Sequence, residues 1–335
     1  MLIKTRQGLY CPAGNFYIDP SGAVDNAVVT HAHSDHARRG SKQYYCTFSG
    51  ADLLKSRLGK KISVHAIPYN QTFFMRDVKV SFHPAGHILG SAQVRLEYNG
   101  EVWVASGDYK RESDPTCEPF EVVPCDVFVT EATFGTPGYA WPKNENMGFE
   151  IWSWWQDNAR AGYNSIVFAY SLGKTQRVLG LLEPYASKEQ SQIKIYCHSA
   201  AGDLNDCYRA QGVKLATNRC LSNLSEHDRL EGALILAPQT FLKSPQAQVL
   251  GPKFKTAFAS GWMARNAYGF DHGFVLSDHA DWNDLLQTVK DTGAKRVYVQ
   301  HRGNGALVKH LKSFGLDAFP EEALIPENPN QMMLF

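Results

Sequence analysis

Three histidines and an aspartate fall within six residues, His31-Ala32-His33-Ser34-Asp35-His36, directly after the apolar run of residues 27 to 30. If that run is a buried strand, the cluster lies at its carboxyl end. Extended backbone points residues i and i+2 to one side, so His31 and His33 can share one metal ion. Where the chain turns toward a helix, Asp35 and His36 are displaced by about one ligand-to-ligand step, which suits a second metal beside the first. A polar loop with surface histidines has no need of such density. Histidine and carboxylate without thiolate suit zinc or manganese.

The elements that must position this cluster are legible around it. Short β-like runs at residues 16 to 19, 44 to 46, 78 to 83, 93 to 98 and 102 to 105 alternate with turns, and Asn99-Gly100 is a hairpin signal. Residues 49 to 58 are helix-like, with Leu53, Leu54 and Leu58 on one face and Gly59 as the stop. Strands that deliver polar residues at their ends, with a helix between, predict a layered α/β sandwich. The texture changes at Gly135-Thr136-Pro137-Gly138, a turn-rich stretch that can begin an inserted domain. Further strand patterns at 165 to 170, 193 to 196, 233 to 236 and 256 to 259 form a second α/β unit, and the chain returns to the first through residues 273 to 277.

Two stretches of that second unit invite functional readings. Trp152, Trp154 and Trp155 lie in a helix-like segment, where core packing is preferred over stacking on bases. Ser171-Leu172-Gly173-Lys174-Thr175 opens a helix after a strand, but a phosphate-binding P-loop needs glycine where Phe168 stands, which excludes ATP binding. The helix N-terminus remains a candidate anion site, with Ser171, Gly173 and Lys174 facing a backbone phosphate, against plain turn chemistry.

With 44% apolar and 20% charged residues over 335 positions, the chain is an ordinary globular protein long enough for two cores. A net charge of +1 excludes a global basic field, so nucleic acid would be held by a local patch and by metals. The seven cysteines, an odd number without C-x-x-C spacing, read as small buried side chains in a reducing compartment. The first residues lack the apolar stretch of a signal peptide, and no run of 18 apolar residues could span a bilayer. A cytoplasmic protein with no membrane partner is expected.

The cluster resembles the signature of the metallo-β-lactamase superfamily. Ala85-Gly86-His87-Ile88-Leu89-Gly90, Ser106-Gly107-Asp108, Thr130-Glu131-Ala132-Thr133, Ser277-Asp278-His279-Ala280-Asp281 and Gln300-His301 resemble motifs of its nucleic-acid-processing β-CASP group. Within that group the chain looks most like the bacterial ligase-associated DNA exonucleases, from residue 8 to about residue 311. The resemblance implies a metallo-β-lactamase αββα sandwich in two parts, residues 1 to 137 and 269 to 325. An α/β β-CASP cap would be inserted at 138 to 268, and 326 to 335 would form a flexible tail.

The same resemblance implies that His31, His33 and His87 hold one divalent ion and Asp35, His36 and His301 a second, with Asp108 between them. Asp19 would orient a ligand histidine. Asp35, Glu131 and His279 would be the catalytic groups, Glu131 raising the pKa of His279 as general acid. Two metals about 3.5 to 4 Å apart lower the pKa of an attacking water and stabilise charge on a phosphodiester. The implied activity is exonucleolytic hydrolysis of DNA in repair, in association with an ATP-dependent DNA ligase. The family usually has glycine after its last motif histidine, whereas Arg302 follows His301 here. A histidine at that position accompanies RNA substrates in eukaryotic relatives, so a ribonuclease is the alternative; a thioesterase of the superfamily is more distant. The end of the tail, Gln331-Met332-Met333-Leu334-Phe335, resembles peptides that dock on the sliding clamp, through Gln331, Leu334 and Phe335.

Overall fold

Burial along the strands separates two kinds of sheet. Strand β2 (Gly8–Cys11) alternates half-buried and buried positions as an antiparallel strand with one wet face does, whereas β11 (Val127–Thr130) and β12 (Asn164–Phe168) are buried throughout, as parallel strands covered on both faces must be. The computed structural model describes residues 1–141, 143–188, 194–225, 227–265, 269–300 and 305–326. Two compact units result: Met1–Ser113, Cys117–Ala140 and His279–Phe335 form the first, Asp114–Thr116 and Trp141–Asp278 the second.

The first unit opens with a six-stranded sheet in the order β1 (Ile3–Thr5), β2, β3 (Phe16–Ile18), β4 (Asn26–Val28), β5 (Gln43–Thr47), β6 (Val64–Ile67), of which β3 to β6 run parallel. Helix α1 (Ala51–Leu58) links β5 to β6, burying Leu53, Leu54 and Leu58, and the Gly59 N–H closes it on Lys55 O. The antiparallel strands β7 (Phe73–Met75), β8 (Val78–Pro84), β9 (Ala92–Tyr98) and β10 (Glu101–Ala105) then lead into parallel β11, β18 (Arg296–Val299) and β19 (Asp317–Pro320). Asn99 and Gly100, both at positive φ, make the β9–β10 hairpin turn that their sequence predicts.

One core of this unit lies between its two sheets. Phe16, Ile18 and Val28 of the first pack with Val80, Phe82, Val94, Leu96 and Val129 of the second. A second core covers the other face of the second sheet, where Val104, Phe128 and Val297 meet Trp282, Leu285 and Val289 of α5 (Trp282–Thr292) and Leu307 and Leu311 of α6 (Ala306–Ser313). The period-2 alternation of β10, with Trp103 and Ala105 facing one core and Val104 the other, joins these layers.

The second unit is built on an all-parallel sheet, β14 (Arg219–Cys220), β13 (Ile195–Cys197), β15 (Leu234–Ala237), β12, β16 (Phe254–Ala259), β17 (His272–Phe274), with helices α2 (Met147–Arg160), α3 (Lys174–Ala186) and α4 (Gly202–Ala210). Because β17 pairs with β16, this unit continues to Asp278, ten residues past the boundary expected at 268. The three tryptophans of α2 pack as structural aromatics: Trp155 donates to Gly232 O at 2.9 Å, Trp152 stacks on Tyr185 and Trp154 on His272. Among the described residues, no helix is long and apolar enough to cross a membrane.

Candidate metal centre

Strands β3 and β4 end side by side, so Asp19 and the histidine cluster emerge at one edge of the first sheet. Pairing continues one residue past β4, where the Val29 N–H bonds to Tyr45 O, and the chain then turns, the Ala37 N–H reaching His33 O at 2.8 Å. Across the second sheet, the loop after β8 brings in His87 and the loop after β10 brings in Asp108. Gly107, at φ 56°, lets that last loop close on the cluster, since a Cβ there would stand 2.7 Å from the Thr30 Cβ.

The donors converge. His31 Nε2 and His87 Nε2 lie 3.1 and 3.0 Å from His33 Nδ1, and one donor atom each from His31, His33, His87 and Asp108 fall within 4.8 Å of one another. Asp108 Oδ2 stands 3.3 Å from His36 Nε2, 3.6 Å from His31 Nε2 and 3.8 Å from His87 Nε2, so this carboxylate faces two histidines of the first expected group and one of the second. Asp35 is at the margin, its side chain 69% exposed and its Oδ2 3.7 Å from His36 Nε2. His301 lies outside the described residues.

Behind the ligands is a hydrogen-bonded support. Asp19 accepts from the Thr30 N–H at 2.8 Å and the Thr30 hydroxyl at 2.6 Å, and its Oδ2 meets His36 Nδ1 at 2.7 Å. One carboxylate thus fixes the ring of His36 and the backbone that leads into His31. Thr30 Oγ1 also lies 3.0 Å from His31 Nδ1. Sequence reading placed Asp19 but missed Thr30, whose hydroxyl was visible only as the last residue of a strand run. The bonds from the Tyr109 N–H to Glu131 (2.6 Å) and from the Glu131 N–H to the Ser106 hydroxyl (3.2 Å) had no signal of their own.

Glu131 is fully buried, and its two carboxylate oxygens lie 3.1 and 2.9 Å from His279 Nδ1. The His279 ring packs against that of His87, 4.7 Å between centroids, and Asp108, Glu131 and His279 form a second group of donor atoms within 4.8 Å.

Electrostatics divides the histidines. Burial pushes the His31 pKa well below the usual range, helped by His36 and His87, which leaves the neutral imidazole that a metal binds. Burial also works against charge on His36, but Asp108 and Asp19 outweigh it and hold its pKa well above the usual range. Asp108 shows the converse: burial favours its neutral acid, but His36 and His279 override this and keep it ionised far below the ordinary carboxylate range. Three imidazoles and a central carboxylate, with no thiolate, fit one or more divalent cations.

The anion site expected at the start of α3 does not survive in that form. Lys174 is buried, its ammonium 2.9 Å from Asp278 and bonded to Leu276 O, and the Gly173 N–H donates to Gln176 Oε1 at 2.7 Å. Gln176 Nε2 in turn donates to Ser171 O. The Lys174 ammonium and the Gly173 N–H, two of the groups meant for a phosphate, are thus occupied within the unit. Gln331, Leu334 and Phe335 lie outside the described residues.

An α/β protein whose strand ends gather imidazoles around a buried carboxylate could hold a metal ion there, and comparison with known proteins gives the lineage. A probable DNA ligase from Opitutus terrae is 30% identical over 326 residues, covering 95% of this chain and 31% of that protein. An RNase J-like protein from Methanocaldococcus jannaschii is 27% identical over 198 residues, covering 52% of this chain and 47% of its own length. The chain therefore spans less than half of either relative. A protein of unknown function from Enterococcus faecalis V583 shares the fold with a TM-score of 0.54 at 11% identity, over 82% of this chain and 74% of that one. No family model matches. The chain belongs to the metallo-β-lactamase superfamily, in its β-CASP group.

Proposed function

We propose that this chain is a two-metal phosphodiesterase that hydrolyses DNA from an end, acting in repair beside an ATP-dependent DNA ligase. Its first unit would be the αββα sandwich of the superfamily and its second the β-CASP cap. One observation carries the choice of DNA: the similarity to a protein named for DNA ligation extends over 95% of this chain.

His31, His33 and His87 would hold one ion, His36, Asp35 and His301 the other, and Asp108 would face both. When bound, the ions supply a water of lowered pKa and positive charge beside the phosphate. The remaining work belongs to the chain. Asp19 and Thr30 fix the ligand loop from behind. Glu131 takes the Nδ1 side of His279, so Nε2 is the nitrogen that reaches the leaving oxygen and gives it a proton.

A ribonuclease with the same chemistry is the second reading, favoured by the relative named RNase J-like. DNA and RNA of matched sequence, labelled at one end and incubated with the purified protein and Mn²⁺ or Zn²⁺, separate the two. Stepwise shortening of the DNA is expected. Faster cleavage of the RNA would replace the first reading with the second.

A further inference from the structure

With 34 basic and 33 acidic residues the chain as a whole attracts no polyanion, but the balance is broken next to the metal centre. Between positions 38 and 61 seven basic residues (Arg38, Arg39, Arg57, Lys42, Lys55, Lys60, Lys61) stand against the single acid Asp52. Lys42 pairs with Asp25 and Lys55 with Asp52. Arg38 and Arg39 are exposed, and no ion pair joins either to a carboxylate among the described residues.

Arg57 ties this charge to the ligand loop. Its guanidinium donates to the carbonyl of Ala32, between His31 and His33, while its own carbonyl accepts from Arg39 Nη2 at 3.1 Å. Arg39 thus reaches the backbone of Arg57 directly, and Arg38 is its neighbour in the chain.

An aromatic ring completes the group. Phe48 follows β5 and is 60% exposed, although its backbone is fixed by a bond from its N–H to Ile67 O. The preceding residue, Thr47, donates its hydroxyl to Gly90 O at 2.6 Å, in the loop that carries His87. Phe48 thus stands at the sheet edge from which the ligands emerge. Exposed cations and an exposed ring, each tied to a loop that carries the histidines, match a strand whose phosphates are charged and whose bases are unstacked. A duplex would present the phosphates without a base face.

We infer that Arg38, Arg39 and Phe48, braced by Arg57, form a landing site for a single-stranded polynucleotide entering the metal centre. The arginines hold phosphates and Phe48 stacks on a base. This rests on the nuclease reading above and adds to it the strandedness and the entry side of the substrate.

The test is fluorescence anisotropy with the full-length protein, as isolated, and a phosphorothioate oligothymidylate that resists hydrolysis, titrated over a range of salt, with a hairpin duplex as the second probe. R38A/R39A should weaken single-strand binding about ten-fold and lower the slope of log K against log salt by about 1.4, for two phosphate contacts. F48A should weaken the single strand about ten-fold while leaving the slope and the duplex unchanged. K243A/K253A, which removes two charges from the second unit, should behave as wild type. If R38A/R39A lowers Tm, R38Q/R39Q replaces it. Wild-type affinity and slope in the arginine variant overturn the site, and an F48A effect equal on both probes overturns its preference for a single strand. Arginine-dependent binding without turnover of an ordinary oligonucleotide supports the site and removes the nuclease; turnover with arginine-independent binding overturns the site alone.

Discussion

At the carboxyl end of β4, the imidazoles of His31 and His33 converge with His87 and Asp108, while at the carboxyl end of β12 the chain makes a similar strand–turn–helix passage in which Lys174 and Arg177 have internal counterparts. There Lys174 and Arg177 meet Asp278, and Arg177 also meets Asp114 at 3.4 Å, all four side chains at most 7% exposed. The two strand ends look equally chemical in sequence. They differ in what the neighbours supply: buried His31 is held neutral among imidazoles and keeps the lone pair that a cation needs, whereas ammonium and guanidinium beside carboxylates are neutralised within the fold.

Removing the carboxylate at the centre of the first region should have the largest effect. Asp108→Ala should reduce hydrolysis to background and lower bound metal by elemental analysis, as should His33→Ala. Wild-type turnover by folded Asp108→Ala protein would sink the two-metal reading. His279→Ala should cost about 10² to 10⁴ in rate while retaining metal, because a general acid is absent but the ligands remain. Should His279→Ala instead lose metal, the group Asp108, Glu131 and His279 is itself a ligand set.

In the second region the expected loss is of stability. Arg177→Met leaves Asp114 and Asp278 buried beside fewer cations and should lower unfolding free energy by about 3 to 5 kcal/mol, read by urea denaturation. Lys174→Met should act in the same direction without changing the salt dependence of DNA binding. A Lys174→Met protein of normal stability but weakened DNA affinity would restore the anion site and erase the contrast.

The smallest effect sharpens the first region. Asp108 and Asp19 raise the His36 pKa in the folded metal-free protein, so a metal held there would compete with a proton, and its affinity should climb as pH rises. Asp19→Asn removes one of the carboxylates that raise it. Metal affinity should fall about 10- to 100-fold, and fewer protons should be released on binding near pH 7. Calorimetry in buffers of different ionisation enthalpy measures both. Unchanged proton release would mean that Asp108 alone sets the charge of His36.

How far the sequence reached varied with the range of the interaction. The α1 helix, the Asn99-Gly100 turn and the strands at β8, β9 and β16 were legible because period, glycine and turn chemistry act over a few residues. The end of the second unit was not, because β17 is only three residues long and is defined by its pairing with β16. The tryptophans of α2 could be read as core, but their partners Gly232, Tyr185 and His272 could not.

The site divides in the same way. Four potential ligands in six residues, at the end of an apolar run, were legible locally, since alternation along a strand decides which side chains share a side. That His87 meets His33 across 54 positions, that Glu131 meets His279 across 148, and that Lys174 and Arg177 turn to Asp278 about a hundred residues away, were decided only when the sheets assembled. The physical reason is that a side chain's chemistry belongs to its type, but its charge state and its availability belong to the neighbours that packing supplies.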